Sequence, residues 1–214
     1  MTSAPPEPRA RIAVFAKAPV PGQVKTRLAP LLGADGAAAL HAGLARQALS
    51  AATRARLGAV ELWCAPDALH PFFERCAQQF GVALHRQEGG DLGERMKHAI
   101  AQGLAHGEPV IVIGSDCPGL DAADLRAAAE ALRAHEVAIA PAEDGGYVLI
   151  GMSRLVAEAF DGIAWGEPSV MAHTRARLSQ RAVTWKELPA RWDVDRPEDY
   201  LRLQREGRLA EVLS

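Results

Sequence analysis

A chain of 214 residues, 49% of them hydrophobic and 23% charged, has the balance of an ordinary globular protein with a substantial core. Its 24 Lys and Arg against 26 Asp and Glu leave a net charge of -2, and only 5% of residues are aromatic. Those totals exclude the basic footprint of a nucleic-acid or anionic-membrane binder and the stacking surface of a single-strand binder. A small-molecule substrate is expected instead.

The three cysteines, Cys64, Cys76 and Cys117, form no CxxC pair, and an odd count suits free thiols in a reducing compartment. The segment Met1 to Arg9 is proline-rich and lacks the apolar stretch of a signal peptide. Residues 1–10 are therefore expected to be a disordered tail and residues 11–214 one domain. No segment reads as long and apolar enough to span a bilayer. Together these readings predict a cytoplasmic protein.

In chain order, Arg11 to Ala16 is a continuous apolar run of the kind buried on both faces of a parallel sheet. A loop rich in Pro, Gly and Lys follows, and an Ala- and Leu-rich stretch from Ala34 to about Arg56 predicts a long helix. Ala59 to Ala65 reads as a strand, Leu69 to Phe80 as a helix and Val82 to His85 as a short strand. Asp91 to His106 is a predicted helix whose Asp91 and Glu94 have capping-box spacing. Pro109 to Gly114 is the most apolar strand and is expected near the sheet centre. Asp121 is placed to cap a helix through Arg133. Strands at Val137 to Ala140 and Tyr147 to Ile150 flank Gly145-Gly146. A helix from Pro168 to Leu178, a strand from Val183 to Leu188 and a last helix opened by Pro197 and ending near Gly207 complete the series. Alternating strands and helices imply βαβ units and a mostly parallel central sheet with helices on both faces. In such sheets ligands bind beyond the carboxyl ends of the strands.

Three clusters fall at those ends. Lys17-Ala18-Pro19-Val20-Pro21-Gly22 leads into Lys25-Thr26-Arg27, where prolines stiffen the loop, Gly22 bends it, and Lys17, Lys25 and Arg27 offer donors to phosphate oxygens. Neither the Walker A nor the GxGxxG spacing is present. Asp116, in Ser115-Asp116-Cys117-Pro118, follows the most apolar strand, where a carboxylate needs a partner or a metal, and Mg²⁺ or Mn²⁺ bridging to substrate phosphates suits it. Asp193-Val194-Asp195 places two carboxylates on one side of an extended segment, although Asp195 could simply serve the helix that follows. Asp144-Gly145-Gly146 is either a hairpin turn or the acceptor side of a site with Asp144 as base. Gly90 and Arg95 suit a nucleotide's base or ribose, beside the cap formed by Asp91 and Glu94. The seven histidines show no zinc-site spacing.

Taken as an ordered set, Phe15-Ala16-Lys17-Ala18-Pro19, Pro21-Gly22, Lys25-Thr26-Arg27-Leu28, Gly90-Asp91-Leu92-Gly93-Glu94-Arg95-Met96, Ser115-Asp116-Cys117-Pro118, Asp144-Gly145-Gly146-Tyr147 and Asp193-Val194-Asp195 resemble a bacterial family of glycosyltransferase-like proteins. That family, associated with radical enzymes or arsenosugar biosynthesis, is similar to the nucleotide-diphospho-sugar transferase superfamily. The resemblance runs from about Arg11 to Glu206 and implies a glycosyltransferase-A fold. It also implies nucleotide phosphates held by Lys25 and Arg27, and a metal on Asp116 completed by Asp193 or Asp195. Where many glycosyltransferases carry a DxD motif, this chain has the single Asp116. The expected activity is metal-dependent glycosyl transfer from a nucleotide-activated sugar to a small acceptor, using Asp116, Asp144 and Lys25. The alternatives are nucleotidyl transfer with release of pyrophosphate, and a nucleotide-binding module without turnover.

Overall fold

A computed structural model describes residues 8–213 of the chain. The first apolar run forms strand β1, Arg11–Lys17, whose inner five residues are buried on both faces as their unbroken apolarity implies. After it come α1 (Ala29–Ala55), β2 (Val60–Ala65), α2 (Pro71–Phe80), β3 (Ala83–Arg86), α3 (Leu92–Leu104), β4 (Val110–Gly114) and α4 (Ala122–Ala131). The second half holds β5 (Val137–Pro141), β6 (Tyr147–Met152), α5 (Val170–Gln180), β7 (Trp185–Glu187), α6 (Pro197–Arg205) and α7 (Leu209–Leu213). Short 3-10 turns lie at Thr26–Leu28 and Ala157–Phe160.

All seven strands join one sheet in the order β3-β2-β1-β4-β6-β5-β7. The most apolar strand, β4, is its middle member, as its sequence predicts. Parallel pairing links β3 to β2, β2 to β1, β1 to β4 and β5 to β7, whereas β6 runs antiparallel to both its neighbours. Ile12, Val14 and Ala16 point to a core shared with α1, α2 and α4. Ala13 and Phe15 point to the other face, where α3 and α5 pack. This is the expected α/β layering, with period-two alternation of β1 sending its side chains into two separate cores.

The direction of winding reverses between β1 and β4, because β2 and β3 lie on one side of β1 and the later strands on the other. A crevice at the carboxyl ends of β1 and β4 follows from that reversal. The antiparallel β6 begins at the same edge, pairing Leu149 with Ile113 of β4. Loops after β1, β4 and β5, and the start of β6, therefore converge there.

Three readings from the sequence change. Of the expected tail, residues 1–7 lie outside the described residues, while Ala10 is fully buried and donates its N–H to the Leu57 carbonyl at 3.2 Å. The expectation that no segment could cross a bilayer also fails by composition. The helical stretch Thr26–Ala55 has the length, and contains an 18-residue window of mean hydropathy 1.2, 44% of which is buried. Gly33, at φ 71°, interrupts that stretch, and its Ala45, Leu49 and Ala52 lie in the core beside β1. The predicted start of α1 at Ala34 reflects that interruption, since one more turn opens on Pro30, whose missing N–H costs nothing there. Finally, α7 lies beyond the last helix expected, and packs Val212 with Leu40 and Leu44 of α1.

Candidate active site

Three adjoining cavities form one cleft across the carboxyl edge of the sheet. The outer cavity, of 740 Å³, is lined by Lys17, Gln23, Arg86, Gln87, Gly89 and Arg95. The middle cavity, of 490 Å³, shares Lys17, Gln23 and Gln87 with it and adds Lys25, Arg27 and Asp116. The inner chamber, of 270 Å³, shares Phe15, Leu92, Gly114 and Asp116 with the middle one and is walled by Tyr147, Trp165 and Asp193. Asp116 stands at the junction of the last two.

Lys25 is held in a left-handed conformation, φ 48° and ψ 38°, that side chains other than Gly rarely adopt. That turn delivers an almost fully buried ammonium, 4% exposed, to Asp116 Oδ1 at 2.9 Å. His41, on the buried stripe of α1, places Nδ1 3.6 Å from the same oxygen. Its Nε2 lies 3.0 Å from the Lys17 carbonyl. A carbonyl only accepts, so Nε2 carries the proton, and the Nδ1 contact is too long for a hydrogen bond. Ser115 Oγ donates to Oδ1 as well, at 3.4 Å. Among the described residues these contacts all fall on Oδ1, leaving Oδ2 without a partner. Burial pushes the Asp116 carboxyl up, but the Lys25 ammonium overcomes it and holds the group well below the usual carboxylate range.

The segment carrying Asp193 is tied to Asp116 by the backbone, since Val194 N–H donates to the Asp116 carbonyl at 2.9 Å. On its other side Arg191 pairs with the loop after β5: Arg191 N–H donates to the Pro141 carbonyl and Glu143 N–H to the Arg191 carbonyl, each at 2.9 Å. The Arg191 guanidinium reaches Asp124 of α4 at 2.5 Å. Asp193 is thereby brought beside both Asp116 and Asp144. Burial first, then the Asp144 and Asp116 carboxylates, raises its pKa to about 6.

Asp195 does not join that group. Its carboxylate pairs with Arg27 at the rim of the middle cavity. Nor does it cap α6: Asp199 accepts from the N–H groups of Asp195 and Arg196 at 3.0 and 2.7 Å. Asp199, in the first turn of α6, is thus the residue whose side chain ties the helix start to the preceding segment. Among the described residues no three His, Cys, Asp or Glu side chains stand ready as a metal cage.

Lys17, Lys25 and Arg27 line the middle cavity as a group, whereas Gly22 shapes the turn between them and lines none of the three cavities. Arg95 lines the outer cavity and donates Nε–H to the Gly89 carbonyl at 3.1 Å. Gly90 is a correction: its N–H donates to Glu94 Oε2 at 2.7 Å, so the helix cap uses it, and Gly89 lines the cavity instead. Asp144 and Gly146 line the inner chamber, with Gly146 N–H donating to Asp144 Oδ1 at 2.9 Å. Gly145 does not line that chamber. At φ 94° it lies where a Cβ would overlap the Pro168 carbonyl, and its own carbonyl accepts from Met171 N–H at 2.8 Å.

Sequence reasoning missed His41, Gln87, Trp165 and Glu167. His41 had a signal, because it interrupts the apolar stripe of Ala37, Leu44 and Ala48. Gln87 also had none of the usual marks of a site; its amide donates to the Trp63 carbonyl at 2.8 Å and stiffens the outer cavity. The three cysteines are free and buried, and burial raises Cys64 and Cys117 to about 12 and Cys76 to about 11, so none is a ready nucleophile.

A search among curated proteins finds no match. Among solved structures, the chain is similar to a protein of Desulfovibrio desulfuricans G20 described as a nucleotide-diphospho-sugar transferase. The two share 30% identity and a TM-score of 0.80, over 95% of this chain and 97% of that one. It also shares its fold with 4-diphosphocytidyl-2C-methyl-D-erythritol synthase from Anaerococcus prevotii DSM 20548, at 9% identity, TM-score 0.64, and 94% and 96% of the two chains. A nucleotidyl transferase from Methanothermobacter has that fold too, at 17% identity, TM-score 0.60, and 92% and 97%. Residues 48–167 match the family described as "Uncharacterized protein conserved in bacteria (DUF2064)". With more than half its length matched, the chain belongs to that family.

Proposed function

We propose that the protein is a metal-dependent transferase of glycosyltransferase-A fold that uses a nucleotide-activated sugar and transfers the sugar to a small acceptor. The observation that carries this reading is the division of one cleft at Asp116 into a basic part and an acidic, apolar part. Lys17 and Arg27 supply charge-assisted donors for a nucleoside diphosphate in the middle cavity, and the outer cavity has room for its nucleoside. The described name of the Desulfovibrio protein supports a sugar nucleotide as donor.

The carboxylates fit a hard divalent cation. Asp116, whose Oδ2 has no partner among the described residues, lines the cleft, and Asp193 is raised by burial and by two neighbouring carboxylates that a backbone N–H and Lys25 only partly offset. Two carboxylates completed by substrate phosphates are the usual surroundings of Mg²⁺ or Mn²⁺, so a protein cage of three ligands is not needed. When bound, the ion would neutralise charge developing on the departing diphosphate. Asp116 and Asp193 would hold it, and Lys25 keeps Asp116 ionised and fixed in place. Asp144, anchored through Oδ1 by Gly146, turns its other oxygen to the acceptor. The acceptor oxygen attacks the sugar's anomeric carbon, and the bond from that carbon to the diphosphate oxygen breaks with its electron pair on the diphosphate. The hydroxyl proton passes to Asp144 Oδ2.

Nucleotidyl transfer is the second reading, favoured by the lone Asp116 and by the fold shared with the Methanothermobacter nucleotidyl transferase and the Anaerococcus synthase. It predicts pyrophosphate release from a nucleoside triphosphate. A panel of nucleotide sugars and nucleoside triphosphates, each with Mn²⁺, separates the two. The account expects a nucleoside diphosphate as product from one sugar nucleotide, and pyrophosphate alone would replace it with the second reading. The cysteine chemistry supports a cytoplasmic location, which fractionation of the native cells would test.

A further inference from the structure

Two motif glycines and two orphaned donors lie in or against the wall of the inner chamber. The wall of that chamber is the segment from Trp165 to Val170, and it is seated at both ends by glycines. At Gly93 of α3 an added Cβ would stand 2.5 Å from the Trp165 ring. At Gly145 it would overlap the Pro168 backbone. Neither glycine is needed for a phosphate contact, so both sites serve the placing of this wall. Inside it, Tyr147 and Trp165 meet edge to face at 6.3 Å. Tyr147 Oη and Trp165 Nε1 are both buried and have no hydrogen-bond partner among the described residues. A buried donor left unpaired is costly, and two in the wall of one chamber point to a ligand that supplies the acceptor atom as the wall shifts to admit it.

Charge decides the class of that ligand. Asp116, Asp144, Glu167 and Asp193 line the chamber, and no Lys, Arg or His does. The remaining wall is apolar, with Phe15, Met96, Val112, Ile150 and Val170 among its residues. Lys25 offsets Asp116, and a cation held by Asp116 and Asp193 would be shared with the donor's phosphates. A phosphate or carboxylate would still meet Asp144 and Glu167 without a compensating cation from the protein. At 270 Å³ the space suits a compact molecule.

We infer that the inner chamber binds an uncharged, largely apolar acceptor, which presents a hydroxyl toward Asp144 and a carbonyl or ether oxygen to Tyr147 Oη and Trp165 Nε1. This rests on the transferase reading above and narrows it. Tyr147 and Trp165 are then specificity residues, and Gly93 and Gly145 position them.

Ligand-observed NMR with a set of small neutral alcohols that also carry a ring ether or carbonyl, alongside their phosphate monoesters, tests the inference without turnover. The set is run with and without Mn²⁺ on wild type, Tyr147→Phe, Trp165→Phe and Gly93→Ala. The inference expects neutral members to bind, and about fivefold weaker binding for each lost donor. Gly93→Ala, which leaves both donors in place, is expected to weaken the same compounds by shifting the indole. Preferred binding of the monoesters, with or without Mn²⁺, would overturn it, as would equal affinity in wild type and both donor variants, or no binding by any neutral member. Nucleotide binding, followed by thermal shift on the same variants, reports the donor cavities separately. Its loss in wild type would strike the transferase reading and leave the chamber's chemistry to the NMR result.

Discussion

The two halves of the cleft reach their side chains in opposite ways. On the basic side, the loop between β1 and α1 carries Lys17, Lys25 and Arg27 within eleven residues of one another, and a single left-handed turn at Lys25 aims the ammonium inward. On the acidic side, Asp116, Asp144 and Asp193 come from three distant segments, joined by Val194 N–H to the Asp116 carbonyl and by the backbone bonds of Arg191. Charge recognition can be built into one loop, because phosphate accepts donors from many directions. A chamber that excludes charge needs walls from several elements, and the walls must be seated against one another. The basic half should therefore tolerate backbone change and be sensitive to charge, and the acidic half the reverse.

The largest effect is expected at the junction. Asp116→Asn removes the carboxylate common to both halves and should lower turnover by about 10³-fold while the protein stays folded, measured by product formation beside a melting curve. A mutant that keeps more than a tenth of wild-type turnover would remove Asp116 from the chemistry. Next comes Gly145→Ala, a single methyl in the acidic half. It forces an L residue to φ 94° and into the Pro168 backbone, and should destabilise by about 3 kcal/mol in urea denaturation. An unchanged midpoint would mean that the wall is not seated there.

Asp193→Asn should act in the opposite sense. Its folded pKa of about 6 lies above the ordinary aspartate value of 3.8. The folded protein therefore favours the protonated form, and this contribution is complete below the unfolded value and lost as pH rises from about 4 to 6. The amide should stabilise the metal-free protein by about 1 kcal/mol at pH 8, after allowing for solvent screening, and by nothing at pH 4. The same gain at both pH values would contradict the electrostatic cause. The smallest effect is expected at the rim. Arg202 pairs with Glu143 at 2.8 Å and stacks over Trp192 at 4.3 Å, but the pair is solvent-exposed. Arg202→Ala should cost under about 1 kcal/mol and leave turnover alone.

Much of this layout is legible in the sequence, and unevenly so. The inner strands and the central place of β4 follow from continuous apolar runs, because burial on both faces leaves no alternation to confuse the pattern. The basic loop is equally plain, since its residues are local in sequence. Asp195 is harder: an Asp-x-Asp pair looks like a shared ion site, yet Arg27, 168 residues away in sequence, takes the second carboxylate. Gly90 is misread for a related reason. The capping box has a backbone donor to satisfy, and it takes that of Gly90, leaving Gly89 to face the cavity. His41 and Trp165 matter only through neighbours that the fold brings to them from other elements. The sequence marks His41 only as a break in an apolar stripe, and spacing along the chain does not show what either residue meets.

The central claim is that one cleft has a half for a nucleotide's phosphates and a half for a neutral acceptor. Thermal shift with nucleoside diphosphates and Mn²⁺ tests it most directly, on wild type, Lys25→Met and Tyr147→Phe. The account predicts that one nucleotide raises the melting temperature of wild type and of Tyr147→Phe equally, and that Lys25→Met abolishes the rise. Loss of the rise in Tyr147→Phe, its retention in Lys25→Met, or no rise with any nucleotide in wild type would contradict the division.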